Sequence, residues 1–286
     1  MSESNRMIPK YIQHQGVTGP SHWHAPVLSA LPLPVFIGIV AIFNFILPPT
    51  AQFDRSLAFE PPLLNAVLYT VFLASTSCIV AFIALKSYLE NGRPFLVLLG
   101  AGALAWGSGS LLGGWLTNLP SGPNPAVTIS NTGALLASMF HVASAGINKR
   151  ASIQNAVRNR KPIMILAYAG VLLFTSFYAF AALEGMVPAF FVPGIGQTLL
   201  RMTVLGLAVT LFGVSALLFA RLYPRAKSGT LYWYFLSLAL TSVGLASVFF
   251  GRAPGDPISW TGRTAMFLGG VYLIKAVFFV FKEHHI

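Results

Sequence analysis

The chain has 286 residues, of which 55% are hydrophobic and only 9% charged. A water-soluble domain carries about 25% charged residues, so this composition excludes an ordinary soluble globule and points to lipid as the solvent. The formal net charge of +11 would suit nucleic acid, but the basic residues sit in short connectors between apolar blocks, where they set membrane topology instead; no nucleic-acid partner is expected.

In hydrocarbon every backbone polar group must be paired within its own segment, so each apolar block is predicted to be helical. No alternating pattern of the kind a membrane β-barrel requires is present. The expected fold is therefore all-α: a polytopic integral membrane helix bundle of about eight transmembrane helices. It comprises an N-terminal cytoplasmic segment over 1–25 and the bundle over 26–286. The segment from Met1 to His24 is polar and precedes the first apolar block, so it does not read as a cleavable signal peptide.

Taken in chain order, the first helix is predicted over 27–48, with Pro26, Pro32 and Pro34 crowding its start. The second, over 62–86, contains Cys78, the single cysteine, which excludes an internal disulfide or a multi-cysteine metal site. The third, over 94–118, is rich in small residues. Gly102, Trp106, Gly109 and Gly113 share one helical face, and Ala103, Gly107, Ser110 and Gly114 share the neighbouring one. Small residues let helix backbones approach closely, which places this helix at the centre of the bundle. The fourth is predicted over 126–147, with Asn131 near one end and His141 towards the other. The remaining four fall at 161–183, 196–221, 228–250 and 260–281. Pro-Pro, Asn-Gly and Pro-Gly pairs punctuate the connectors.

The basic residues then divide by side. Arg6 and Lys10 precede helix one. Lys86 and Arg93 lie in the second connector. Lys149, Arg150, Arg158, Arg160 and Lys161 lie in the fourth, Arg221, Arg225 and Lys227 in the sixth, and Lys282 in the tail. The opposite connectors hold only Arg55 and Arg252. That asymmetry predicts both termini in the cytoplasm. Asp54, Glu60, Glu184 and Asp256 all fall on the outer side.

Three ionisable side chains fall within the blocks: Arg201, Arg263 and Lys275. Such residues are costly in a membrane and have a partner or a task. Arg201 and Arg263 lie about one turn inside the outer ends of helices six and eight, level with Asn131. Together they suit a carboxylate, a phosphate or a lipid headgroup. The competing reading is that each arginine reaches outward and pairs with Glu60 or Glu184. His141 reads as a hydrogen-bonded interior residue or part of a polar switch, with haem or metal ligation as the alternative. The His22-Trp23-His24 run, His284 and His285 are weaker metal candidates. Lys275 raises a retinal Schiff base, but no Asp or Glu falls within a helix as its counter-ion. No hydrolase, kinase, P-loop or dinucleotide motif is present, so no catalytic residue, metal or specific cofactor is assigned.

The stretches Phe95 to Trp115, Val127 to Gly133 with Phe140-His141, and Trp260-Thr-Gly-Arg263 followed by Leu268 to Leu273 resemble the multi-helix membrane-associated sensor domains that precede PAS and histidine-kinase modules in bacteria and archaea. The similarity runs from about helix two to helix eight. It implies a non-enzymatic protein of the bacterial or archaeal cytoplasmic (inner) membrane that detects a signal in or near the bilayer. The 286 residues contain no output module, so action through a protein partner is expected. Membrane lipids are the other expected partners. The proposed ligand-binding residues are Asn131, Arg201, Arg263 and, deeper, His141. The alternative is an accessory subunit of a respiratory, photosynthetic or oxidase-type complex, and a haem- or retinal-binding protein is the minority reading.

Overall fold

A computed structural model describes residues 28–46, 58–119, 123–150, 160–192, 196–253 and 255–284. The predicted cytoplasmic segment over 1–25, with the His22-Trp23-His24 run, lies outside the described residues, as do Asp54, Arg55 and His285. Two compact units divide at Leu31. In the first, Leu28 to Leu31 form a single turn, with the Leu31 amide donating to the Leu28 carbonyl at 3.3 Å.

The second unit is an all-α bundle. Its helices are α1 (Pro32–Ile46), α2 (from Pro62 to Asn91, in three pieces), α3 (Pro94–Leu116), α4 (Pro123–Arg150), α5 (Arg160–Leu183), α6 (Leu199–Ala226), α7 (Gly229–Phe249) and α8 (Pro257–His284). Among the described residues, eight helices are long and apolar enough to cross a membrane.

Six of the helices close a ring. Going round it, α2 packs on α3, α3 on α4, α4 on α6, α6 on α7, α7 on α8, and α8 back on α2. α5 lies outside the ring against α3 and α4, and α1 lies outside against α8 and α7. No residue of α1 is buried.

The two small faces of α3 are its two interfaces. On the first, a Cβ added to Gly109 would sit 3.0 Å from the Gly133 Cα, and one added to Gly113 would sit 3.0 Å from the Ala126 carbonyl, both on α4. On the second, a Cβ on Gly107 would meet the Ser77 side chain at 2.5 Å and one on Gly114 the Ala66 Cα at 3.3 Å, both on α2. Absence of side chains thus brings three backbones into van der Waals contact, the packing mode that serves where water supplies no drive for helix association. α7 and α8 repeat the arrangement through Gly244 and Gly262, and the Ser237 hydroxyl donates to the Gly269 carbonyl at 2.7 Å.

Three local features depart from the sequence reading. α2 contains a π-helical turn, Tyr69–Ser75, between the α-helical pieces Pro62–Leu68 and Thr76–Asn91. Hydroxyls cluster there: Ser75 donates to the Thr70 carbonyl at 2.8 Å, and Thr76 to the Phe72 carbonyl at 2.5 Å. Such back-bonding loosens the regular ladder. α2 also runs on to Asn91, where Gly92, in the left-handed region at φ 67°, closes it by donating to the Tyr88 carbonyl at 2.7 Å. Finally, helix six does not begin at 196. Residues Phe191–Val192 (β1) and Gly196–Gln197 (β2) form a short antiparallel hairpin, and α6 starts after Thr198, whose hydroxyl accepts from the Arg201 amide at 3.3 Å.

Candidate ligand-binding cavity

The ring encloses a cavity of about 790 Å³ at the end where α3, α5 and α7 finish and α2, α4, α6 and α8 begin. All six ring helices line it. The deep wall is apolar and aromatic, with Leu73 and Tyr69 from α2, Trp106 from α3, Leu245 from α7 and Met266 from α8. The π turn matters here, because it carries Tyr69 and Leu73 and both line the cavity. The other end of the cavity is polar, with Asn65, Asn131, Gln197, Arg201, Arg252 and Arg263.

The three residues expected to converge do so: Asn131, Arg201 and Arg263 all line this one cavity. Their circumstances differ. Arg263 Nη1 donates to Glu60 Oε2 and Nη2 to Oε1, each at 2.8 Å, and the guanidinium lies 4.7 Å from the centre of the Trp260 ring. Asn65 also donates to Glu60 Oε1. The pairing with Glu60 is the competing sequence reading for this arginine. Glu184 is exposed and forms no ion pair among the described residues.

The segment bearing Glu60 is stitched to the start of α8. The Phe59 amide donates to the Gly255 carbonyl at 3.0 Å, and the Trp260 indole donates to the Phe59 carbonyl at 2.8 Å. Gly255, at φ 76°, admits this contact, since a Cβ there would lie 2.5 Å from the Phe59 oxygen. Asp256 is fully buried and caps α8, accepting from the Ser259 amide at 2.6 Å and from the Arg252 amide at 2.6 Å. That cap starts α8 at Pro257 rather than at 260. Arg252 itself donates to the Phe250 carbonyl and, at 2.8 Å, to Asn44 Oδ1 of α1.

Arg201 is different. Its Nε is buried with no hydrogen-bond partner among the described residues, and its guanidinium makes no ion pair there. Asn131 is 6% exposed and its Nδ2 is likewise unpartnered. Two buried acceptors of the cavity, Asn65 Oδ1 and Gln197 Oε1, are unpartnered as well among the described residues. Gln197 was hidden from sequence reasoning inside a segment read as helix. The hairpin places it, and Asn124 of α4 fixes the hairpin by accepting from the Phe190 and Phe191 amides at 2.9 and 3.0 Å. Buried polar groups are ordinarily satisfied, and these orphaned atoms gather around one cavity.

His141 does not line this cavity. It is buried one layer deeper, with Nδ1 2.7 Å from the Tyr234 hydroxyl and the ring packed on Phe212, which in turn meets Trp106 edge-on. A Cβ on Gly102 would lie 3.0 Å from the imidazole, so the glycine makes room for the ring. Lys275 is exposed on α8 with Nζ 4.1 Å from the centre of the Trp233 ring, and it is not among the cavity residues. The chain matches no protein-family model, no curated protein and no solved structure.

Proposed function

We propose that the protein is a multi-pass membrane receptor of the sensor type, not an enzyme. In this reading it binds a small or lipidic ligand in the outer half of its bundle and signals through a protein partner. Both termini lie in the cytoplasm of a bacterial or archaeal cell, and the cavity opens towards the outer side. The observation that carries the reading is Arg201: a cation held without a counter-charge among the described residues, in the same cavity as the unpartnered Asn131 Nδ2, and that cavity is large enough for a drug-sized molecule. A partly buried charge with no counter-ion is costly to keep, and binding an anion is the task that offsets the cost. His141 and Tyr234, reached from the cavity through Trp106 and Phe212, connect the site to the opposite half of the ring.

The test is native mass spectrometry of the protein released from its own membrane. A bound adduct is expected on the wild type and is expected to be lost from Arg201→Gln. An adduct-free wild type, or one whose adduct survives that substitution unchanged, removes the reading. The same preparation separates the alternative: a sensor purifies as a monomer or homodimer, whereas stoichiometric foreign subunits or a visible pigment spectrum would reassign the protein to a larger membrane complex.

A further inference from the structure

We infer that the cavity takes a singly charged amphiphilic anion that also carries a hydrogen-bond donor, its charged head on Arg201 and Asn131 and its apolar body against the deep wall. This rests on the ligand-binding reading above and specifies the class of ligand.

Charge sets the first limit. Both arms of Arg263 are committed to Glu60. Arg252 is held by Phe250 and Asn44, and the Asp256 carboxylate lies 2.6 Å from its backbone nitrogen. Among the arginines that line the cavity, Arg201 is the one left with neither an ion pair nor a partner for its Nε among the described residues. One such cation asks for one negative charge. A dianion would leave a net negative charge in a poorly screened site, and a neutral molecule would leave Arg201 as it is.

Hydrogen bonding sets the second. Asn131 Nδ2 and Arg201 Nε are donors and suit anionic oxygens, but Asn65 Oδ1 and Gln197 Oε1 are buried acceptors. An anion with acceptors alone would leave those two orphaned. A ligand hydroxyl or amine beside the charged group satisfies them.

Size and lining set the third. A bare inorganic anion would leave most of the roughly 790 Å³ unfilled, against walls formed by Leu73, Trp106, Leu245 and Met266. A hydroxylated medium-chain carboxylate meets all three conditions. So does a phospholipid headgroup that pairs a monoanionic phosphodiester with free hydroxyls. The shared chemistry is a single negative charge, a neighbouring hydroxyl and an apolar tail.

The experiment uses the full chain in phosphatidylcholine nanodiscs at about pH 8, where an alkyl phosphate is a dianion. Tryptophan fluorescence is followed during titration, with Trp106→Phe identifying the signal that comes from the cavity. The probes are 3-hydroxydecanoate, decanoate, decanol and decyl phosphate. 3-Hydroxydecanoate is expected to bind at least about tenfold more tightly than decanol or decyl phosphate, and several-fold more tightly than decanoate. Arg201→Gln should abolish the preference over decanol, and Gln197→Ala the preference for the hydroxyl. Adding phosphatidylglycerol to the nanodisc distinguishes the sources: competition with the acid assigns the site to a lipid headgroup, and its absence to a free amphiphile. Decanol or decyl phosphate binding as tightly as 3-hydroxydecanoate, or an Arg201→Gln protein that still prefers the acid, overturns the class while leaving a ligand-binding cavity. No saturable signal from any probe also overturns it. In that case the adduct in the native mass spectrum decides whether the broader reading stands.

Discussion

Arg263 grips Glu60 with both arms of its guanidinium, at 2.8 Å each, across 203 positions of sequence. The pair fastens the segment entering α2 to α8 beside the cavity. The Arg263 side chain is 9% exposed and that of Glu60 26%, so water screens the acid in part but hardly reaches the base. Arg201 lines the same cavity and has no such partner among the described residues. The two arginines therefore contribute to stability with opposite sign in the ligand-free protein.

Removing the paired arginine leaves Glu60 and Asn65 without their organising charge, and Arg263→Gln is expected to cost about 2–4 kcal/mol, towards the lower end because Glu60 is partly wet. Arg201→Gln relieves an uncompensated charge and is expected to leave stability unchanged or raise it by about 1 kcal/mol. Thermal unfolding of both variants in one detergent checks the contrast. A destabilised Arg201→Gln would mean that Arg201 has a structural partner and is not held in reserve for a ligand.

Part of this site was legible in the sequence. Counting turns from helix ends puts Asn131, Arg201 and Arg263 at one level, because a helix fixes depth at about 1.5 Å per residue. The choice of Glu60 over Glu184 as a partner was not legible, since it depends on the path of the chain before α2 and on the Phe59–Gly255 contact. Gln197 was hidden for another reason. A hairpin with two residues per strand is too short to show any periodicity, and the apolar residues around it extend the helical pattern of α6.

Gly109 and Gly133 test the close approach of α3 and α4. Each Cβ would lie 3.0 Å from the partner Cα, and backbone cannot step aside as a side chain can. Gly109→Ala and Gly133→Ala are each expected to destabilise by about 1–3 kcal/mol. Gly170, on α5, has nothing within 4 Å of an added Cβ. Gly170→Ala should be neutral or stabilising by up to about 1 kcal/mol through helix propensity. Equal effects at all three positions would contradict the interface.

The His141–Tyr234 contact is buried on both sides, with Tyr234 fully inaccessible and His141 2% exposed. Tyr234→Phe keeps the ring packed on Phe219 but strands the imidazole nitrogen. The expected loss is about 1–3 kcal/mol. His141→Phe removes the imidazole and leaves the phenol with Ser144 alone, so the double variant His141→Phe/Tyr234→Phe should recover part of the loss. Strict additivity in a double-mutant cycle would show that the two side chains do not depend on each other.

The fold was more legible than the site. Long apolar blocks, punctuating prolines and the two small faces of α3 sufficed to order the helices and to mark α3 as closely packed, whereas the packing of those faces on α2 and α4 was not legible. The π turn of α2 was not readable, because Tyr69 to Ser75 is as apolar as its flanks. Its cause is local geometry: Thr70, Ser75 and Thr76 direct hydroxyls onto their own helix's carbonyls, a detail that hydropathy does not carry.

Topology can be tested across α3 alone. The helix has 23 residues, about 34 Å at the α-helical rise, long enough to cross a hydrocarbon core of about 30 Å. Its two ends must then lie on opposite sides of the bilayer. Asn91 lies just before it, next to Arg93 in one of the basic connectors, and Asn118 lies just after it; both are exposed. Cys78 is a free thiol on the outer surface of α2, so the background is Cys78→Ala. In intact cells a membrane-impermeant maleimide is expected to label Asn118→Cys directly. Asn91→Cys should label only after the membrane is opened. The direction follows from the basic connectors, which resist translocation, and the cavity faces the end at which Asn118 lies. Labelling of both positions from outside would break the helix count. Labelling of Asn91→Cys alone would invert the protein and turn the cavity, with Arg201 in it, towards the cytoplasm.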